Sequence, residues 1–376
     1  MKRVYADYAA ATPTDPRVVH AMDPYQTEIF GNASSVHSFG RAADNAIITS
    51  TQTIAKFLNS KPEEIIFTSG GTESNNLAII GVAKANKNSG QHIITSSIEH
   101  PSVLNACRAL AKDGWEMTYL PVTKDGLVEV DELKKALTKE TVLVSIHLAN
   151  SEIGVIQNIA ELSKITKKHG AYFHTDACQA AAFLDLDVEK LGVDLLSFNG
   201  SKMYGPKGIA VLYVRKGVNI FPILYGGGQQ QSLRSGTENV PGIIGLAKAC
   251  EMTAKRRSED CKQIGQLRDS LQAKLSEIGC RINVLHGLRL PNHLSAIIPT
   301  TETNLVAWLD RAGVAVSAGS ACSSKSLNDS HVLTSIGLSA EEMNRTVRIS
   351  LGRATTAADC RFITSEVARL KKRASV

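Results

Sequence analysis

Between residues 63 and 215, short runs rich in β-branched residues alternate with stretches whose apolar positions recur at three-and-four spacing. That alternation is the pattern of a parallel sheet with crossover helices. It predicts seven strands: EEIIFTS (63–69), HIITSS (92–97), EMTYLPV (116–122), VLVSIHL (142–148), AYFHTDA (171–177), DLLSFN (194–199) and IAVLYV (209–214). Helical spacing fills the intervals at 75–84, 101–112, 130–137 and 159–169. After Pro241 no further proline appears before Gly279, and Leu246, Ala249, Met252, Ile264, Leu267, Leu271 and Leu275 keep helical spacing. One continuous helix there would run roughly 58 Å at 1.5 Å per residue, long enough to bridge two domains. Beyond it, strands are expected near 293–299 and 346–351, with helices near 304–312 and 357–371.

The chain has 376 residues, which at roughly 150 per domain implies two or three domains with a large buried core. Hydrophobic residues make up 43% and charged residues 21%, which excludes a disordered or fibrous chain. The 42 Lys and Arg against 36 Asp and Glu give +6. The basic runs are short and lie beside acids, so no direct binding to nucleic acid is expected. No apolar run approaches the roughly 18 residues of a membrane span, and mean hydropathy is −0.06. Asp7 follows the basic start without an apolar block, unlike a secretory signal, so a cytoplasmic location is expected. Seven cysteines, odd in number and without a CxxC, argue against a disulfide framework and against a zinc site.

Three segments carry candidate chemistry. SGGTESNN (69–76) follows a strand and opens a helix; Gly70 and Gly71 admit an anion, Thr72 offers a hydroxyl, and the helix start supplies free N–H groups. It lacks both nucleotide-loop spacings, and its plain structural reading is a tight turn capped by Ser69 or Thr72. HTDACQ (174–179) sets Asp176 at another strand end, where ligands of open parallel sheets bind, positioned to hold a ring nitrogen protonated or simply to close a turn. SFNGSKMYGPKG (197–208) sets Lys202 among small polar residues, where a desolvated amine suits Schiff-base chemistry and a solvated one does not. An anion turn, a ring-nitrogen acid and an amine, each at a strand end, are together what pyridoxal phosphate requires of a protein.

With these residues the sequence resembles the fold-type I pyridoxal phosphate enzymes, and within them the group I cysteine desulfurases of the NifS/IscS type. VYADYAAATPTDPRV (4–18) looks like the family's opening, and GNASSVHSFGR (31–41) like its asparagine-containing active-site loop. VSAGSACSSKSLNDSHVL (316–333) looks like its flexible catalytic-cysteine loop. The resemblance implies an α/β fold with a mainly parallel seven-stranded sheet in a large cofactor-binding domain (13–255). A smaller α+β domain (1–12 and 256–376) would carry the cysteine loop. It implies that Gly71 and Thr72 bind the phosphate of pyridoxal 5′-phosphate, that His100 stacks on the ring and that Asp176 pairs with its nitrogen. Gln179 would contact the ring oxygen, Lys202 would carry the cofactor, and Asn150, Ser151, Asn199 and Ser201 would line it. Thr237 would reach the phosphate of a partner subunit in a homodimer. Arg348, with Asn32 nearby, would grip the substrate carboxylate. Lys202, His100 and Cys322 would be catalytic, converting L-cysteine to L-alanine and leaving a persulfide on Cys322. A sulfur-acceptor protein would then serve iron–sulfur cluster assembly, tRNA thiolation or DNA phosphorothioation.

Three positions depart from the family pattern. Ser201 stands where His usually precedes the lysine, Ser151 where Asn usually precedes Glu-Ile-Gly, and Asn199 at a phosphate-contacting position that is often Ser. The first two remove an imidazole and an amide from the cofactor's surroundings, and the neighbouring Asn150 is the available replacement amide. Two other readings remain open on this fold: a weakly active sulfurtransferase scaffold, and a selenocysteine lyase or aminotransferase for which Cys322 is dispensable.

Overall fold

The computed structural model describes residues 2–284, 288–302, 304–318 and 330–372. The chain opens with the short strand β1 (Val4–Tyr5). It then forms β2 (Ile65–Thr68), β3 (His92–Ser96), β4 (Glu116–Leu120), β5 (Thr141–Ser145), β6 (Tyr172–Asp176), β7 (Leu195–Asn199) and β8 (Ala210–Val214). These seven make one sheet in the order β2-β8-β7-β6-β5-β3-β4. Strands β3 to β7 pair in parallel, as the alternating pattern predicts, whereas β8 runs antiparallel to both β7 and β2. The chain between Asn199 and Ala210 is shorter than the dozen or so residues that a parallel crossover needs, so it returns as a hairpin-like connection. Two reversals leave β2 parallel to β7. The carboxyl ends of β2, β3, β5, β6 and β7 therefore share one sheet edge.

Helices cover both faces, so the inner strands are apolar on both sides; every residue of β3, β5 and β8 is buried. The helix Ser38–Leu58, absent from the sequence expectation, packs its buried Ile54, Ala55 and Leu58 into the main core. His37 caps its start by accepting from the N–H of Gly40 at 3.2 Å. The long helix spans Val240–Glu277 without a break, 38 residues in all. Asn239 caps it by accepting from the N–H of Gly242 at 3.1 Å, and Pro241 sits in its first turn, where a missing N–H costs nothing. Its buried Leu246, Leu271 and Leu275 each contribute about 1.5–3 kcal/mol by leaving water.

Past this helix come β9 (Arg281–Ile282), β10 (His293–Ile297), β11 (Val314–Ala315), β12 (Ser317–Ala318) and β13 (Thr346–Ser350). Four of them form an antiparallel sheet in the order β12-β13-β10-β9. The fifth, β11, pairs in parallel with β1, matching Val4 to Val314, and Asp7 bridges to Ser350. The first residues of the chain are thus carried to the edge where Arg348 emerges from β13. Among the described residues no helix is long and apolar enough to cross a membrane.

Candidate active site

At the shared carboxyl edge lies a cavity of about 310 Å³. Gly71, Thr72, His100, Asn150, Ser151, Asp176, Gln179, Asn199, Ser201, Lys202 and Arg348 all line it. Parallel strand ends bring these distant segments together. Asn32 and Thr237 are exposed and lie outside this cavity. The Oδ1 of Asn32 accepts from the N–H of Ser34 at 2.9 Å and so holds a local turn. Cys322 falls in 319–329, outside the described residues.

The helix Gly71–Ala85 starts directly at the cavity. No side chain caps it: the carboxylate of Glu73 accepts instead from Ser69, at 2.7 Å from the N–H and 2.5 Å from the hydroxyl, and from Arg234 at 2.8 Å. Its first N–H groups remain available to an anion, with the helix dipole favouring negative charge. A Cβ at Gly71 would stand 2.6 Å from Sγ of Cys178 and 3.2 Å from Nδ2 of Asn199. Only glycine leaves that cradle open.

Asp176 ends β6 in a buried position. Burial would push its carboxyl up, but the neighbouring His100, the N–H of Cys178 at 2.9 Å and the amide of Asn75 at 2.7 Å hold it below its ordinary value. His100 itself is pushed down by burial, against the pull of Asp176, so its ring is neutral near pH 7. With that ring neutral, the two hydrogen bonds are what sustain the carboxylate. Two residues earlier on β6, burial lowers His174 to about 4, and its nitrogens meet Ser145 Oγ at 2.8 Å and Ser197 Oγ at 3.0 Å. Asp176 is thus an anionic acceptor with no cationic histidine beneath it.

His100 also caps the helix Pro101–Lys112: its Nδ1 accepts from the N–H of Ser102 at 3.1 Å, which puts the neutral ring's hydrogen on Nε2. Lys202 closes the turn Gly200–Lys202 and donates from Nζ to the carbonyl of Ala10. The following loop is fixed by Tyr204, a non-glycine residue at φ 62° whose N–H donates to Oγ1 of Thr12 at 2.8 Å. Gln179 donates to the carbonyl of Ala9 at 3.0 Å, and the hydroxyl of Ser201 donates to Oδ1 of Asn199 at 3.2 Å. Asn150 is committed to its own turn: Oδ1 accepts from the N–H groups of Glu152 and Ile153, while Nδ2 donates to the carbonyl of Ile98. One amide hydrogen is left for anything in the cavity.

Arg348 is 2% exposed. It donates to the carbonyl of Ser151 at 3.0 Å, to Oδ1 of Asp7 at 2.7 Å and to Oγ of Ser317 at 3.1 Å. Its Nε has no partner among the described residues, so a donor remains for a ligand carboxylate.

Several contributors escaped the sequence reading. Asn75 stands four residues after Gly71, one turn along the same helix face, and that spacing was its signal. Ile98 in a turn, His147 just past a strand and Ser102 at a helix start also line the cavity, and no local pattern marks them as site residues.

Pyridoxal 5′-phosphate fits these residues. The open helix start at Gly71 suits a phosphate, the buried carboxylate of Asp176 suits a protonated ring nitrogen, and Lys202 supplies the amine. The buried Oδ1 of Asn75 also lacks a partner among the described residues. A model of the aminotransferase class-V family matches residues 4–362, and the chain belongs to that family. A cysteine desulfurase IscS of Dictyoglomus turgidum is 47% identical over 376 residues, covering 98% of this chain and 95% of the relative. A solved NifS-like protein superposes with a TM-score of 0.93 at 36% identity, covering 99% of this chain and all of the other. A structure described as SspA in complex with cysteine has a TM-score of 0.83 at 38% identity, covering 94% and 99%. Within the class-V family, the chain belongs with the cysteine desulfurases.

Proposed function

We propose that this enzyme converts L-cysteine to L-alanine, transfers the sulfur to Cys322 as a persulfide, and passes it to an acceptor protein. The observation that carries the reading is one cavity holding Lys202, the anionic Asp176, the uncapped helix start at Gly71 and the buried Arg348. The relative described in complex with cysteine supports the substrate.

Bound pyridoxal phosphate supplies an electron sink that weakens the bonds around the substrate Cα. Gly71 and Thr72 would hold its phosphate, and Asp176 would keep its ring nitrogen protonated. His100, neutral, would lie against the ring, and Gln179 would contact the ring oxygen. Arg348 takes the substrate carboxylate and so fixes which bonds at Cα face Lys202. The Nζ of Lys202, once free, removes the Cα proton. The thiolate of Cys322 attacks the substrate sulfur: an S–S bond forms, the C–S bond breaks, and its electron pair stays with the substrate carbon, which is protonated to alanine. Cys322 enters this scheme through its sequence motif. The exposed positions of Asn32 and Thr237 support a homodimer in which a second copy completes the site. Free cysteines at every described position support a reducing, cytoplasmic setting.

The test is alanine and sulfide release from L-cysteine with a reductant, together with the visible absorption of bound cofactor. Wild type should be coloured and active, Cys322→Ala coloured and inactive, and Lys202→Ala without the characteristic band. Full turnover by Cys322→Ala would remove the persulfide and favour a lyase or aminotransferase.

A further inference from the structure

His147 has no part in the scheme above. It lies two residues beyond β5, and the parallel ladder that matches Ser145 to His174 continues with the N–H of Leu148 donating to the carbonyl of Asp176 at 2.9 Å. His147 is therefore level with Asp176, and paired residues share a sheet face. Its ring is 4% exposed and lines the cavity.

One end of this imidazole is firmly held. Nδ1 lies 3.0 Å from Oε1 of Glu99, a carboxylate that is 1% exposed. Glu99 also accepts from the hydroxyl of Ser96 at 2.5 Å, and both its oxygens receive the backbone N–H of His147 at 3.0 Å. A carboxylate oxygen accepts, so the Nδ1 that faces it carries a hydrogen, and in the tautomer this contact selects Nε2 presents the lone pair. That Nε2 is buried and has no partner among the described residues. Buried polar atoms in folded proteins are nearly always paired. An orphaned acceptor on the wall of a ligand cavity calls for a donor from the ligand. Pyridoxal phosphate brings two donors, the ring N–H that Asp176 would serve and the ring hydroxyl that Gln179 would meet; its phosphate oxygens accept. An amino acid with a thiol brings two kinds, ammonium and S–H.

We propose that His147 is a substrate-binding residue whose Nε2 accepts a hydrogen bond from the ammonium or thiol of the amino acid, with Glu99 as the positioning residue that fixes its tautomer. The inference rests on the amino-acid reading of the site. The two donor sources are separated by comparing L-cysteine with L-alanine, which has the ammonium and no thiol.

The experiment uses cofactor-loaded enzyme and measures KM and kcat for L-cysteine, the dissociation constant of L-alanine, cofactor absorption and thermal midpoint. His147→Met keeps the bulk and removes the acceptor. His147→Gln returns an amide oxygen near the place of Nε2. His147→Met should raise KM for L-cysteine about tenfold, the scale of one lost hydrogen bond, with a smaller change in kcat, with absorption near wild type and with a midpoint lowered by the donor that Glu99 loses. His147→Gln should recover part of the loss. Equal weakening of L-alanine assigns the ammonium, and weakening of L-cysteine alone assigns the thiol. Wild-type KM and L-alanine affinity in His147→Met overturn the proposal. So does a variant that sheds cofactor while its loaded fraction binds both amino acids normally. A wild type that neither turns over L-cysteine nor binds L-alanine overturns the functional reading itself, before any variant is compared.

Discussion

Asn75 donates its amide to Oδ2 of Asp176 at 2.7 Å, from one turn inside the helix that opens at Gly71. The helix whose start suits a phosphate is therefore also the helix that helps keep Asp176, the acid proposed for the ring nitrogen, ionised. Removing the amide in Asn75→Ala uncovers a buried carboxylate oxygen and lets the Asp176 carboxyl rise. A hydrogen bond to a charged group is worth about 1.5–3 kcal/mol, so the cofactor dissociation constant should increase at least tenfold. Titration of cofactor-free protein with pyridoxal phosphate measures this, and an unchanged constant would show that Cys178 alone suffices.

The cradle at Gly71 gives a paired prediction. In Gly71→Ala the new methyl meets Sγ of Cys178, so cofactor affinity should drop while the fold persists. Cys178→Ala removes that sulfur, and the double variant should regain part of the affinity. If Gly71→Ala binds cofactor like wild type, the helix start has room to spare and the phosphate lies elsewhere.

Glu152 gives a pH prediction. Its carboxyl, buried and receiving the hydroxyl of Ser330 at 2.6 Å, is raised from 4.5 to about 7, chiefly by burial. The folded value exceeds the unfolded one, so the native state holds the extra proton between them and loses stability as pH rises through that window. At about 1.4 kcal/mol per unit the loss approaches 3 kcal/mol above pH 7. Glu152→Gln keeps an acceptor for Ser330 without the charge. Urea melts should show the two proteins alike near pH 4.5, with the variant increasingly the more stable towards pH 8. Parallel curves would mean that Glu152 is ionised throughout.

Asp7 and Arg348 form a largely buried ion pair at 2.7 Å. In Asp7→Asn the arginine keeps its burial and loses its counter-charge, which should lower stability by about 3 kcal/mol. The same change removes a negative charge from beside the guanidinium proposed to hold the substrate carboxylate. L-alanine should bind a few-fold more tightly to a protein that melts earlier. Weaker binding would show that Asp7 positions Arg348 more than it competes for it.

The sheet was legible because its inner strands are buried on both faces and read as β-branched runs, and the long helix because Pro241 and Gly279 bracket a stretch with no further proline and few glycines. Helix Ser38–Leu58 was not, since its Ile-Thr-Ser-Thr stretch carries poor helix formers and tertiary packing overrides that weak preference. Two-residue strands such as β11 and β12 have no pattern to detect. Within the site, Gly71, Asp176 and Lys202 announce themselves by standing at strand ends. His147 and Glu99 do not: each looks like a polar residue beside a strand, and only the folded chain closes the contact between positions 48 apart.

Strand β1 pairs Val4 with Val314, which has a consequence for the order of events during synthesis. At roughly 5–20 residues per second, the ribosome finishes the first strand some tens of seconds before its partner emerges. The backbone around Ala9 and Ala10, which meets Gln179 and Lys202, has no strand partner to anchor it until then. A nascent chain paused before residue 314 would carry Asp176 and Lys202 but not Arg348, so the residues proposed for the cofactor are all made before the one proposed for the substrate carboxylate.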